Sequence, residues 1–101
     1  MDILIQDLLP LVGSSFTVDT SAGQLQLMLI EASERPRRGL PAQFRTPLSL
    51  VFTGPADVQL NQDNYRLMHP LLKEVIWMLV PVSPFAAPNP DRLPLYEVIL
   101  A

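Results

Sequence analysis

The chain contains no cysteine and only one histidine, and just 17% of its 101 residues are charged. Without cysteine there is no disulfide framework, no thiolate zinc ligand and no thiol nucleophile. A single histidine also excludes a metal site that needs several imidazoles. These absences remove several classes of metalloenzyme and thiol enzyme.

Long apolar runs are also missing. The longest, at 75–82, is eight residues and includes a proline, whereas a transmembrane helix needs about 20 apolar residues. The first apolar stretch, 3–12, is interrupted by Gln6, Asp7 and Pro10, and it lacks the cationic start of a secretory signal. We therefore expect a protein without a membrane segment, located in the cytoplasm.

The composition that remains is that of a folded domain. Hydrophobic residues make up 49% of the chain, which argues against disorder. A chain this short holds one hydrophobic core, so we expect a single β domain over 1–101. The net charge of −3 gives no global field for holding a polyanion, so nucleic acid is a disfavoured partner.

The N-terminal segment has the spacing of a helix. Apolar residues recur at helical intervals from Ile3 to Leu11, Asp2 stands where an N-cap is expected, and Pro10 and Gly13 interrupt the pattern. This pattern predicts a helix of about two turns.

Beyond Gly13 the apolar period changes to two, which is typical of strands. It predicts strands at 16–19, 24–31, 48–53, 65–69, 73–82 and 95–100, with 57–64 as a connector or short strand. The tight connections at 21–23 and 70–72 favour antiparallel pairing, because parallel strands need long crossovers. Trp77 and Tyr96 alternate with apolar neighbours and are expected in or near the core.

Two features suggest how these strands are arranged. The run 73–82 is nearly all apolar, which predicts a central strand covered on both faces. The proline-rich segments 33–47 and 83–94 are long enough to cross from one sheet edge to another. The expected fold is mainly β, a small antiparallel barrel or sandwich of about six strands with a short N-terminal helix, and we favour the barrel.

Several segments together resemble a known family. They are LLPLVGSSF at 8–16, TPLSLVFTGP at 46–55, LNQDNYRLMHPLL at 60–72, WMLVPV at 77–82 and YEVI at 96–99. In this order they resemble DUF6916, a family of small bacterial domains of unknown function. The chain departs from that pattern at Lys73, where a glycine often follows the His-Pro pair, and in its ending, Ile99-Leu-Ala. The resemblance implies a compact β domain with no assigned activity, from a family whose members lie near phage-tail-like genes, and it brings no catalytic residues.

The titratable side chains do not form a recognisable catalytic motif in the sequence. Histidine is the side-chain type most often used as a base near neutral pH, so His69 is a candidate base. No Gly-x-Ser-x-Gly elbow accompanies it, and we therefore interpret it as a turn-capping or packing residue. Asp19, Asp57, Asp63 and Asp91 fall in predicted turns, where aspartate commonly binds its own backbone. A carboxylate pair brought together by the fold stays open as an alternative. We expect no metal and no cofactor.

The clearest functional signal is the partition of charge. Four of the seven cations lie in 33–47, where with Glu34 they give a charge of +3, so the remainder of the chain carries −6. Arginine forks match carboxylates and phosphates, and an aromatic among arginines is a plausible anchor. The candidate partner-binding residues are Arg35, Arg37, Arg38, Phe44 and Arg45. The alternative is that these arginines pair with the acidic body of their own domain.

These observations favour a non-enzymatic module for protein interaction or structure. We expect a protein partner, with self-association included, and the family resemblance suggests a phage-tail-like assembly as the setting. The alternative is an enzyme or small-ligand binder with a pocket at the barrel mouth. A single-strand nucleic-acid binder is a weaker third possibility, opposed by the negative body.

Overall fold

A computed structural model describes residues 3–35, 39 and 46–100. A short helix, α1 (Ile5–Leu8), runs into a 3-10 turn, η1 (Leu9–Leu11). Six strands follow: β1 (Ser15–Thr20), β2 (Gly23–Glu34), β3 (Leu48–Thr53), β4 (Asp63–His69), β5 (Leu72–Val82) and β6 (Leu95–Leu100). No helix among the described residues has the length and apolar character needed to cross a bilayer.

The six strands close into an antiparallel barrel in the order β1-β2-β3-β6-β5-β4. The predicted mainly β class, six strands, antiparallel barrel and short N-terminal helix are confirmed. In the first hairpin Phe16 lies opposite Leu27 and Val18 opposite Leu25. These four side chains share one face of the sheet, so the two-residue rhythm of the sequence lines the barrel interior.

Side chains fill that interior. Phe16 and Phe52 pack edge to face with ring centroids 5.2 Å apart, and Trp77 and Tyr96 are buried as predicted. The core cluster comprises Leu8, Leu11, Phe16, Val18, Leu27, Leu29, Leu48, Leu50, Phe52, Leu60, Leu67, Trp77, Leu79, Tyr96 and Val98. The barrel is therefore a packed body rather than a container.

The N-terminal helix begins later than predicted. Its N-cap is Leu4, and the Asp7 carboxylate accepts the Leu4 backbone N–H at 2.9 Å. The prediction of Asp2 as the cap is therefore wrong, because Asp7 satisfies the first turn from within the helix. Leu8 and Leu11 are buried and pack into the core at one end of the barrel.

The expectation for β5 is also wrong. Ile76 and Met78 are 69% and 45% exposed, so the strand is covered on one face only. β5 lies between β4 and β6 in a closed ring, where no strand is central. The apolar run of β5 therefore combines buried side chains on the inner face with exposed apolar side chains on the outer face. Exposed apolar side chains of this kind are common on protein surfaces.

Because every neighbouring pair is antiparallel, the connections divide between two ends of the barrel. We call the upper end the one that carries the connections 21–22, 54–62 and 83–94, and the lower end the one that carries 35–47, 70–71 and the N-terminal helix. The upper end holds the beginning of β4, and the lower end holds the end of β2.

A chain segment crosses the upper mouth, but it is not one of those predicted to cross. The long segments 33–47 and 83–94 join neighbouring strands, whereas β3 and β4 lie opposite each other in the ring. The connector 54–62 must therefore span the mouth. Leu60 from this connector is 7% exposed and joins the core, so the crossing closes the barrel.

Candidate functional site

The candidate partner-binding residues are placed only in part. Arg37, Arg38, Phe44 and Arg45 lie outside the described residues. Arg35 is exposed at the lower end, and its backbone N–H donates to the carbonyl of Pro47 at 2.7 Å. This bond holds together the two ends of the 35–47 connection.

His69 lies at the end of β4 and makes contacts on both ring nitrogens. The backbone N–H of Leu71 donates to Nδ1 at 3.0 Å, and Nε2 lies 2.9 Å from Oγ of Ser14. The ring also packs against Phe16, with centroids 4.7 Å apart. The residue caps the β4–β5 turn and packs against the core.

The known donor in this chain of hydrogen bonds determines which atoms carry the protons. Because Nδ1 accepts from a backbone N–H, it carries no proton, so the proton of the neutral ring is on Nε2 and is donated to Ser14. Ser14 in turn donates its hydroxyl proton to the carbonyl of Leu11. A serine nucleophile needs the opposite polarity, with the imidazole accepting the hydroxyl proton. The arrangement therefore ties the β4–β5 turn to the N-terminal segment and does not activate Ser14.

The upper end carries an open cleft of about 700 Å³ between the β1–β2 turn, the crossing connector and the start of β4. We call it the upper cleft. Its lining residues are Asp19, Thr20, Ser21, Ala22, Leu25, Val58, Gln59, Leu60, Asn61, Asp63, Asn64 and Tyr65. Leu25, Val58 and Leu60 are at least partly buried, whereas Asn61, Asp63 and Asn64 are exposed. The cleft thus combines an apolar floor with an amide and carboxylate rim.

On one side of the cleft Asp19 is already engaged. Gln24 donates to Asp19 Oδ1 at 2.9 Å, and Arg66 donates to Oδ2 through Nε at 2.7 Å and through a second guanidinium nitrogen. The Gln24 bond and then the Arg66 bond lower the pKa of Asp19. Arg66 also lies 3.0 Å from Glu74, so its charge is shared between two carboxylates.

On the other side the cleft presents Tyr65 and Asp63. The Tyr65 hydroxyl donates to the carbonyl of Asn61 at 2.8 Å, and Asp63 Oδ1 accepts the N–H of Asn64 at 2.8 Å. Burial and then the negative charge of Asp63 raise the pKa of Tyr65. The negative potential of Asp63 therefore reaches the aromatic side of the cleft.

The 83–94 connection is an ordered loop built on Asn89, which the sequence did not single out. Asn89 is 7% exposed; its Nδ2 donates to the carbonyls of Pro84 and Leu93 at 3.1 and 2.7 Å, and its Oδ1 accepts the Leu93 N–H at 3.2 Å. The loop displays Phe85, 71% exposed, with the Arg92 guanidinium 4.4 Å from its ring centroid. An asparagine among prolines was the available signal, since its side chain commonly organises turns.

The described residues contain no cluster of three or more histidine, aspartate or glutamate side chains that could hold a metal ion. Their buried side-chain nitrogen and oxygen atoms all have hydrogen-bond partners. The upper cleft presents amides, carboxylates and an aromatic ring.

The fold and these surfaces define a class: a small, closed, six-stranded antiparallel barrel with a filled interior and an open cleft at one end. The model of DUF6916, a domain of unknown function, matches residues 3–100, so the chain belongs to that family. The resemblance noted in the sequence is thereby confirmed. Neither a curated protein nor a solved structure matches the chain.

Proposed function

We propose that the protein is a non-enzymatic module that binds another protein, a second copy of itself included. The observation that carries the proposal is the packed barrel: Phe16, Phe52 and Tyr96 are fully buried within it, and the connector closes its upper mouth. An interior filled with side chains leaves the outer surface and the loops for recognition.

The outer surface has side chains suited to this role. Ile76 and Phe85 are 69% and 71% exposed, and the prolines and Asn89 hold the loop that displays Phe85. Large apolar and aromatic side chains on preordered backbone lose little entropy on binding and are enriched at interfaces. The arginine-rich segment, with Arg35, Arg37, Arg38, Phe44 and Arg45, supplies the charged part of the proposed contact.

The assembly in which this module works is a separate proposal. A bacterial phage-tail-like assembly is the context that the family resemblance favours, and a cytoplasmic location accords with it. Assemblies of that kind are built from repeated protein contacts, which is the activity proposed for this barrel.

Retention of a partner by two matched variants tests the function. Replacement of Arg35, Arg37 and Arg38 together by serine is expected to reduce partner capture from host extract while thermal stability stays nearly constant, because ion pairs of surface arginines generally contribute little to folding. Serine at Lys73, an exposed cation on β5, is the matched control and should not reduce capture. A large loss of stability in the triple variant, with capture unchanged, would show that the arginines serve the fold of their own domain.

A second candidate function is favoured by the upper cleft. Its volume of about 700 Å³ falls within the range of small-molecule sites, roughly 300–1,000 Å³, so the protein is alternatively an enzyme or small-ligand binder that uses the barrel mouth. Titration with a library of sugars, amines and nucleotides, followed by heteronuclear NMR, tests this alternative. Shifts confined to Tyr65, Asn61 and Val58 with a neutral small molecule would favour it over the protein module.

A further inference from the structure

The two ends of the barrel carry opposite charge. The lower-end connection 35–47 contains four arginines and no acidic residue. The connections of the upper end and the first residue of β4, all of them described, carry Asp57, Asp63 and Asp91 against the single cation Arg92. In formal charge the three aspartates and one arginine of the upper end give −2, and the connection at the lower end carries +4.

The arginine-rich connection and the upper cleft of one molecule are too far apart to meet. From Leu25 at the cleft, β2 continues to Glu34 at the lower end, a path of roughly 30 Å at about 3.3 Å per residue. The connection leaves and returns at Arg35 and Pro47, which are hydrogen-bonded. Its roughly eleven inner positions must run out and back, which limits its reach to roughly 20 Å. Any contact between the two features is therefore between molecules.

The chemistry of the cleft fits such a contact. Asp19 is already paired with Arg66, so Asp63 supplies the available charge, and it lines the cleft together with Tyr65. A carboxylate next to an aromatic face binds a guanidinium through an ion pair and through the ring quadrupole. The apolar floor of the cleft offers surface for a side chain such as Phe44. An anionic ligand would be repelled by the same rim.

We propose that the barrel associates head to tail, with the Arg35–Arg45 segment of one copy docked in the upper cleft of the next. The inference rests on the proposed function, since it names a second copy of this chain as the partner. Because donor and acceptor surfaces are different and lie at opposite ends, the contact is heterologous. Repeated contacts of that type build rings when the rotation closes and filaments when it does not.

Sedimentation of the full chain over a concentration series, at low and high salt, is the first test. We expect reversible association beyond a dimer that weakens as salt rises, because the contact joins exposed charges. Asp63→Asn should weaken the association at least about tenfold, as should Arg37→Ser combined with Arg38→Ser. The amide oxygen introduced by Asp63→Asn can still accept the Asn64 N–H, so thermal stability should stay close to that of the parent chain.

Mixing the two variants tests whether the arginine segment and the cleft contact each other. The cleft variant keeps an intact arginine segment, and the arginine variant keeps an intact cleft, so together they can form one good interface. We expect a one-to-one pair in the mixture that does not grow further, although each variant alone stays monomeric. A reciprocal dimer would also regain one contact in the mixture, so growth of the parent chain beyond a dimer is the result that identifies the head-to-tail arrangement.

Matched controls use the same kinds of side chain elsewhere on the barrel. Glu31→Gln removes an exposed carboxylate of β2 and Lys73→Ser removes an exposed cation of β5; both should associate like the parent chain. A parent chain that stays monomeric, variants that associate normally, or a mixture that forms no pair would each overturn the head-to-tail contact. Capture of a different protein by a chain that stays monomeric would contradict the head-to-tail contact but would still support the proposed protein-binding function.

Discussion

The hydroxyl of Tyr96 accepts a hydrogen bond from the backbone N–H of Leu60 at 2.9 Å, with both groups buried. Tyr96 comes from β6 and Leu60 from the connector that crosses the upper mouth, so this bond fixes the segment that closes the barrel. It also holds one wall of the upper cleft in place. The hydrogen bond between Tyr96 and Leu60 therefore connects the packing of the core to the shape of the upper cleft.

Removal of the Tyr96 hydroxyl should loosen the connector. Tyr96→Phe leaves the Leu60 N–H buried without a partner, which costs about 1–3 kcal/mol of unfolding free energy. Urea denaturation measures that cost, and hydrogen exchange should show faster exchange at Leu60 in particular. The control is Tyr65→Phe, whose hydroxyl bond is exposed and should cost less. Equal costs for the two variants would contradict a special role for the buried bond.

Gly54 is needed because two side chains of the core lie against it. A Cβ at this position would stand 3.0 Å from Tyr96 Cε2 and 3.1 Å from Leu27 Cδ2. Gly54→Ala should therefore destabilise the barrel by about 1–3 kcal/mol through overpacking, measured as a lower urea midpoint. Combination with Leu27→Ala removes one of these two close contacts. The double variant should be more stable than the sum of the single effects predicts, and strict additivity would argue against the clash.

His69 should be replaceable in part by asparagine or glutamine. His69→Ala removes the acceptor for Leu71 N–H and the donor to Ser14, so we expect a loss of about 2 kcal/mol in unfolding free energy. His69→Asn places an acceptor near the position of Nδ1, and His69→Gln places a donor near the position of Nε2, so each should recover part of the loss. Coupling with Ser14→Ala in a double-mutant cycle should persist for glutamine and vanish for asparagine. Loss of the coupling for glutamine as well would contradict the hydrogen bond between position 69 and Ser14.

The sequence was sufficient for the strands because one face of each is buried. Alternation placed Phe16, Val18, Leu25 and Leu27 on a common face, and their register in the hairpin follows from it. The alternation failed to describe β5, where Ile76 and Met78 are apolar and yet exposed. A strand that is buried on both faces and a strand that has apolar side chains on an exposed face show the same apolar pattern in the sequence.

The residues that line the upper cleft could not be predicted, since they depend on which strands become neighbours. Asp19, Val58 and Tyr65 are far apart in sequence, and they meet because β1 pairs with β4 and because the connector crosses the mouth. Strand order is decided by long-range packing, to which the local two-residue pattern gives no clue. The basic segment, in contrast, was visible at once, because its four arginines are close together in the chain.

The Asp19 carboxylate should make part of the stability of the barrel depend on pH. Its pKa is lowered in the folded state by the Gln24 hydrogen bond and next by Arg66, so the folded protein holds the charged form more strongly than the unfolded chain does. The resulting stabilisation is present above the unfolded pKa of about 3.9 and is lost as pH falls through the lower folded value. Asp19→Asn should thus be less stable than the parent chain at neutral pH, and the two urea midpoints should converge at acid pH. Gln24→Ala and Arg66→Ser should each narrow the gap, because each removes an interaction that lowers the pKa of Asp19. A gap that is constant with pH would show that the carboxylate charge is not responsible.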